Sequence, residues 1–446
     1  MQLTELKDTA TSILAEACHS RRVDAASLAF MHRGEILQLA QGFANRPEGV
    51  EATAETLFHI GSVTKSLTAE LVWKLVHAGR LDPGLPVIDA APELSHLPAL
   101  SDRSLTISHL LSHTGGIDGD VIFDAGRGKD VLRRYMSQIR ELDSLYAPGA
   151  HFSYANLGYG ILGRIVELAS GAAFEDLLAK SLRGDHGLSQ VAILPIEKIR
   201  RRTALYFETD ATGTNPSYFW PHSNIASGTV LAMSMPDLAR WGSSHFADGA
   251  GRVPALTDAM RKPVIALPHN HRYEGWGCGF SLLDDLGDVL LGHDGGTAGT
   301  STYFRVAPRH RTSWAFAATG PGGGATYQQL EPLLREMAGL SQAPVRVPPG
   351  GPAPDNLSRY AGTYRRYGVS FAVKDNPDGT LRLAVEGPMA PGVLDAVIMR
   401  PLSTTVCEAR IPVLDRSVWI SFHDFDDSGK PELLFVTERM ARRSNG

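Results

Sequence analysis

The sequence predicts an α+β fold in which a helical region lies against an antiparallel sheet and a small all-β barrel follows. Three observations carry this reading. Apolar and polar residues alternate at 26–32 and 35–41 and again between 276 and 319, while the long stretch between is patterned for helices. Pro344, Pro348, Pro349, Pro352 and Pro354, mixed with Gly350 and Gly351, make a segment that fits neither helix nor sheet. Beyond it the alternation returns in short runs. The chain therefore divides into a first domain over 1–343, a linker over 344–355 and a barrel over 356–446.

In chain order, the first twenty residues alternate as an amphipathic helix, and 26–32 with 35–41 form a hairpin around Arg33-Gly34. Phe58-His59-Ile60-Gly61 leads into a helix opening at Ser62. Leu67, Leu71 and Leu75, with Val72 and Val76, make its apolar stripe, and Gly79 ends it after Lys74 and His77. Thr106 caps Ile107 to Ser112, Asn156 to Ala169 is a helix stopped by Gly171, and another starts near Pro236-Asp237. Strands are expected at Trp276–Leu283, Val289–Gly292, Ser301–Val306 and Thr312–Thr319, then a closing helix over Glu331–Ala338. In the last domain, strands are expected at Gly362–Arg365, Val369–Lys374, Thr380–Glu386, Val418–Phe422 and Leu433–Glu438, with turns at Asp378-Gly379 and Ser428-Gly429. No fixed-period repeat is present.

With 446 residues, 43% of them hydrophobic and 20% charged, the chain can bury a large core. A net charge of -5 gives no electrostatic footprint for nucleic acid or anionic membrane, so neither is expected as a partner. No run of eighteen apolar residues occurs, and the amino-terminal segment lacks the apolar core of a secretory signal. Cys18, Cys278 and Cys407 are odd in number and scattered, which suits reduced thiols. The expected location is the cytoplasm.

Chemistry is concentrated in three clusters. Ser62-Val63-Thr64-Lys65 places a serine and a lysine on one face of a helix, where the ammonium can reach the hydroxyl. The spacing alone is weak, since about two such matches are expected by accident in a chain of this length. Its company gives it weight: Tyr154-Ala155-Asn156 stands at the start of a second amphipathic helix, and His293-Asp294-Gly295-Gly296 lies in a glycine-rich strand. Acyl transfer through a serine needs a base, an oxyanion hole and a proton donor for the leaving group. Lys65 or Tyr154 can take the Ser62 proton, and Asn156 can hydrogen-bond Lys65 and a substrate carbonyl. His293 suits an electropositive or hydrogen-bonding partner for Tyr154. The Ser62 and Gly296 amides would form the oxyanion hole, with Gly295-Gly296 letting a ligand approach closely. Lys65 acts as a base only if burial or positive charge lowers its pKa from about 10.4.

These residues resemble the three active-site motifs of the penicillin-binding-protein and class C β-lactamase superfamily: Ser62-x-x-Lys65, Tyr154-x-Asn156, and His293-x-Gly295 in place of the more usual Lys-Thr-Gly. Leu110 to Gly116 and Ala226-Ser227-Gly228 with Pro236-Asp237 resemble further segments of that group, so the likeness spans roughly residues 5 to 340. It implies a β-lactamase/transpeptidase-like catalytic domain and a serine acyl-enzyme. One departure bears on substrate. Where carboxypeptidases and β-lactamases carry hydroxyls that bind a substrate carboxylate, this chain has Asp294 and Gly296. Together with the absent export signal, this points to intracellular relatives: D-aminopeptidases, esterases, or the stand-alone penicillin-binding-protein-type thioesterases that release and cyclise nonribosomal peptides. The last group shares the plan of one catalytic domain followed by a lipocalin-like barrel. The resemblance implies a peptide or ester substrate, carried as a thioester or on a carrier protein in the thioesterase case.

Other features have plainer readings. His109 and His113 share a helix face but lack the companions of a zinc site, so no metal and no cofactor is expected, and His113 reads as structural. Asp294 is either a solvated strand residue or a reader of a substrate amine. Tyr218, Phe219 and Trp220 read as core packing or as an apolar acyl pocket, with Trp220 the candidate substrate contact. Arg439, Arg442 and Arg443 read as solvated tail charges or as contacts to a peptide carbonyl. A non-catalytic ligand-binding protein on the same scaffold is the competing class, and the barrel is expected to close over the cleft without being needed for acylation.

Overall fold

Alternation along the strand Ala25–His32 puts Ala26, Leu28 and Phe30 on one face and Ala25 and Ala29 on the other, so both faces of the sheet are buried. Its neighbour Thr312–Thr319 runs antiparallel with Leu28 opposite Phe316 and Phe30 opposite Trp314, which keeps the large side chains in phase. The structure, a computed structural model, describes residues 3–444 apart from 21, 211–212, 217–220, 247–253, 268, 271, 286–287, 298, 343–345, 349, 389–393 and 412–415. Nine antiparallel strands form the sheet, with the hairpin Ala25–His32 and Glu35–Asn45 toward one side and Thr312–Thr319, Thr300–Ala307 and Asp288–Thr297 following in that order. Helices Leu3–His19 and Gly323–Ala338 cover one face. Met235–Ser243 and the helical region built around Thr64–His77 and Asn156–Ser170 cover the other. This is the α+β arrangement the patterning implies.

The helix Thr64–His77 is pinned at both ends. Ser66 Oγ donates to the Gly279 carbonyl at 2.6 Å, and Gly279, at φ +96°, lies so close that a β-carbon there would stand 2.5 Å from the Ala69 methyl. Farther along, buried Glu70 accepts from Trp241 Nε1 at 2.7 Å and pairs with Lys74 and His186, which hold its carboxyl below the usual range despite burial. Ser62 itself lies just before this helix, in the 3-10 turn Gly61–Val63.

Several boundaries differ from the sequence reading for local reasons. The closing helix starts at Gly323, a full two turns before Glu331, because a glycine run hides its start and Pro332 inside it mimics a first-turn proline. The expected strand Trp276–Leu283 is broken into Gly275–Trp276 and Ser281–Asp285 by the turn at Gly279.

The last domain is a closed barrel of eight antiparallel strands in sequential order, Gly362–Arg366 pairing back with Arg439–Arg443. Leu394–Pro401, Val406–Ile411 and Arg439–Arg443 are strands the patterning does not reveal. Three arginines in five residues look like a charged tail, yet the Arg443 guanidinium lies over the Tyr364 ring at 5.0 Å. Cys278 and Cys407 are buried and Cys18 half-buried, all three unbridged. Among the described residues, no helix is long and apolar enough to cross a membrane.

Candidate active site

Three chain segments converge on Ser62, and glycines permit it. Gly61 adopts φ +53°, while Gly228, at φ +116°, lies where a β-carbon would meet the Gly61 oxygen at 2.2 Å. Gly295 packs so tightly on Ile60 that a β-carbon would stand 2.0 Å from its carbonyl oxygen, whereas one on Gly296 would meet nothing within 4 Å. The two adjacent glycines thus have separate reasons: Gly295 for packing of strand against turn, Gly296 for an open cleft wall. The backbone of Gly296 is brought beside Gly61 and Ser62, where the two amides can address one oxyanion.

Lys65 is fully buried and reaches Ser62 Oγ at 3.1 Å, Asn156 Oδ1 at 2.7 Å and the Ser227 carbonyl at 2.5 Å. Burial first, then the nearby Arg439 guanidinium, lowers its pKa well below 10.5, while Asp120 opposes them. A neutral amine there commits its two N–H groups to Asn156 and Ser227 and turns its lone pair to the Ser62 hydroxyl. That is the orientation a base requires.

Tyr154 is buried on the other side, its ring 4.9 Å from Lys65 Nζ, 5.0 Å from the Arg439 guanidinium and 4.3 Å from the His113 ring. Burial raises its pKa, with Ser62 and Arg439 opposing, so the phenol keeps its proton. His113, at φ 57°, accepts from the Ala155 amide through Nδ1 at 3.1 Å and carries the structural role expected of it. His109 closes the capping box with Thr106.

His293 requires a correction. Its Nδ1 donates to the Asp294 carbonyl at 2.8 Å, and burial lowers its pKa to about 3, so of the two roles expected for it the electropositive one falls away and the hydrogen-bonding one stands. Its ring meets Tyr154 edge-on at 6.3 Å. Asp294 is corrected as well. It is not a solvated strand residue: it lines the cleft with Ser62 and is held there by Arg305, which donates to it at 2.5 Å, and by Arg272. Trp220, with Tyr218 and Phe219, lies outside the described residues.

The sequence reading missed how much of the site comes from the barrel. Thr437 and Glu438, at φ 49° and 68°, form a tight turn between the last two strands, and the Glu438 carbonyl accepts the Tyr154 amide at 2.9 Å. The Met440 amide donates to Ser153 Oγ at 3.0 Å, and Arg272 bridges to Glu438 at 3.2 Å. Arg439 and Arg366 both pair with Asp120, which accepts from Asn156 Nδ2 at 2.7 Å. Phe435 and Met440 share an apolar cluster with Phe152, Tyr154 and Trp276. Ser62, Tyr154, His293, Gly296, Glu438 and Arg439 all line one cleft of about 750 Å³ that extends toward Gly324 and Gln328. No motif marks Asp120 or Glu438. Arg439 carried only the weak signal of a basic carboxyl-terminal run.

A nucleophile, a buried lysine aimed at it, a protonated phenol and an amide pair together define a serine acyl-transfer centre on an α+β scaffold. Residues 10–338 match the β-lactamase family model, and the chain belongs to that family. It is 36% identical to penicillin-binding protein 4 of Amycolatopsis lactamdurans over 359 residues, 78% of this chain and 94% of that one. Among solved structures, SurE superposes over 99% of both chains with a TM-score of 0.81 at 26% identity. A structure of SurE with D-Leu superposes with a TM-score of 0.76 at the same identity, over 99% of this chain and 100% of that one. The fold is that of the penicillin-binding proteins and class C β-lactamases with a lipocalin-like barrel appended, and the family relationship supports a serine hydrolase of this superfamily.

Proposed function

We propose that this chain acylates Ser62 with a peptide ester, thioester or amide, favouring a D-residue at the acyl carbon, and passes the acyl group to the substrate's own amine or to water. The observation that carries the reading is Lys65, fully buried and hydrogen-bonded to Ser62, Asn156 and Ser227. In the first step Ser62 Oγ bonds to the acyl carbon while its proton passes to Lys65 Nζ. The carbonyl oxygen gathers charge between the Ser62 and Gly296 amides. As the bond to the leaving group breaks, Tyr154 gives that group a proton and is reprotonated from Lys65. In the second step an amine or water attacks the same carbon, its proton leaves along the reverse route, and Ser62 Oγ recovers a hydrogen.

Three points support ring closure and the D-residue preference. The likeness to SurE runs through catalytic domain and barrel alike, and a structure of SurE with D-Leu is among the matches. Barrel residues line the cleft beside Ser62, where they can keep a tethered amine near the acyl carbon. A carrier-bound or otherwise thioester-activated peptide fits the same chemistry. The test is incubation with linear peptide thioesters ending in D or L residues, with mass analysis separating macrolactam from free acid. The reading expects ring product from the D-terminated substrate, absent in Ser62→Ala. Free acid alone from every substrate would return the chain to simple hydrolysis, the esterase or D-aminopeptidase alternative. No turnover of any ester or thioester would favour a binding protein.

A further inference from the structure

We propose that Asp120 is a positioning residue through which the docked barrel sets the orientation and charge state of the Lys65 base. The inference rests on the acyl-Ser62 reading and adds to it a contact chain that crosses the domain seam.

The chain is continuous. Arg366 Nη1 on the barrel donates to Asp120 Oδ2 at 3.1 Å, and Arg439 Nε donates to the same oxygen. The other oxygen, Oδ1, accepts from Asn156 Nδ2 at 2.7 Å. An amide has one donor end and one acceptor end, so this bond turns Asn156 Oδ1 toward Lys65 Nζ, where it accepts at 2.7 Å. Lys65 in turn meets Ser62 Oγ at 3.1 Å. Asp120 touches neither nucleophile nor cleft, yet it fixes the group that orients the base. Two guanidiniums from the barrel hold the Asp120 carboxyl ionised against burial. A carboxylate without them would stabilise the Lys65 ammonium and disable the base. Docking the barrel thus adds the Arg439 charge to burial in lowering the Lys65 pKa, against the pull of Asp120. The adjacent Asp118, which accepts the Tyr367 amide at 2.5 Å, ties the same barrel turn down.

Among the described residues, the titratable and charged groups facing Lys65 are Tyr154, Tyr159, His113, His293, Asp120 and Arg439. Burial raises both phenols and lowers both imidazoles, which takes them out of the neutral range. Around Asp120 stand Arg366, Arg439, Asp118 and Tyr135. Asp118, raised to about 6, titrates within range, and an Asp118→Asn control separates its limb.

The experiment follows acylation of the full-length protein by a p-nitrophenyl ester as kcat/KM against pH. Asp120→Asn removes the charge with little change of shape. It is expected to slow acylation by about tenfold or more and to move the ascending limb to lower pH by about one unit, since a neighbour favouring the ammonium is gone. Arg366→Gln, at a residue that does not face the cleft, is expected to move that limb the opposite way. A folded Asp120→Asn with the wild-type rate and profile overturns the proposal, as does a loss of rate with the limb unmoved, which marks a structural role only. If Asp120→Asn does not fold, Arg366→Gln decides: an upward shift supports the proposal and an unshifted limb overturns it. A wild-type protein that is not acylated at all defeats the acyl-enzyme reading instead.

Discussion

Replacing Gly295 by alanine separates the packing role of the third-motif strand from its role as a cleft wall. A β-carbon at 295 would stand 2.0 Å from the Ile60 oxygen and 3.2 Å from the Ser62 nitrogen. Such contacts are not found below 3.0 Å, so the strand must retreat from the turn by about 1 Å. An oxyanion donor works at about 2.7 to 3.1 Å, and a retreat of that size carries the Gly296 amide out to about 4 Å, beyond hydrogen-bond range. Loss of one such donor costs about 10² to 10³ in kcat, or roughly 3 to 4 kcal/mol, with little change in ground-state binding. Gly296→Ala is the matched control, since its β-carbon meets nothing within 4 Å and leaves the backbone in place. Initial rates with a small p-nitrophenyl ester, alongside thermal melts, are expected to show Gly295→Ala at least a hundredfold slower and Gly296→Ala within about fivefold of wild type. Equal rates for the two variants, both folded, would refute the assignment of the oxyanion hole to this strand.

Lys65→Ala and Tyr154→Phe should each lower kcat/KM by about 10² to 10⁴, the range for losing a base or a proton donor, and values within threefold of wild type for both would remove the relay. Deleting residues 356–446, or introducing Phe435→Asp at the seam, should slow acylation by about tenfold or more, because the Tyr154 amide and Asp120 lose their barrel partners. A soluble truncated protein acylated at the wild-type rate would restore the expectation that the barrel is dispensable for this step. Partial burial lowers half-buried His423 from 6.5 to about 3, so its neutral form stabilises the fold above pH 6.5 and that contribution is lost as pH falls toward 3. Between pH 7 and 5 this single group should cost about 2 kcal/mol of stability, and denaturant melts of His423→Gln should show a correspondingly smaller loss; an identical decline in variant and wild type contradicts it.

The three candidate clusters were legible because their chemistry is written in spacing: Ser62 and Lys65 one turn apart, Tyr154 and Asn156 at a helix start, His293 beside two glycines. The sheet was legible because its strands are short apolar runs, with Leu28 and Phe30 facing one way and Ala25 and Ala29 the other, bounded by turn residues such as Arg33-Gly34. What escaped depends on contacts between residues far apart in sequence. Asp294 looks the same in a sequence whether solvated or held between Arg272 and Arg305. Asp120 sits in a segment with no periodicity, and its meaning comes from arginines 246 and 319 positions away. Arg439–Arg443 reads as a tail until barrel closure gives its guanidiniums buried partners. The barrel's contacts with the site are a property of the seam and not of either domain.

The most direct test of the acyl-enzyme account is intact-mass analysis of the protein trapped with a slowly released peptide ester or a β-lactam, followed by peptide mapping. The account predicts one added acyl group, located on Ser62, absent in Ser62→Ala and formed far more slowly in Lys65→Ala. An adduct on another residue, or undiminished turnover in Ser62→Ala, would contradict it.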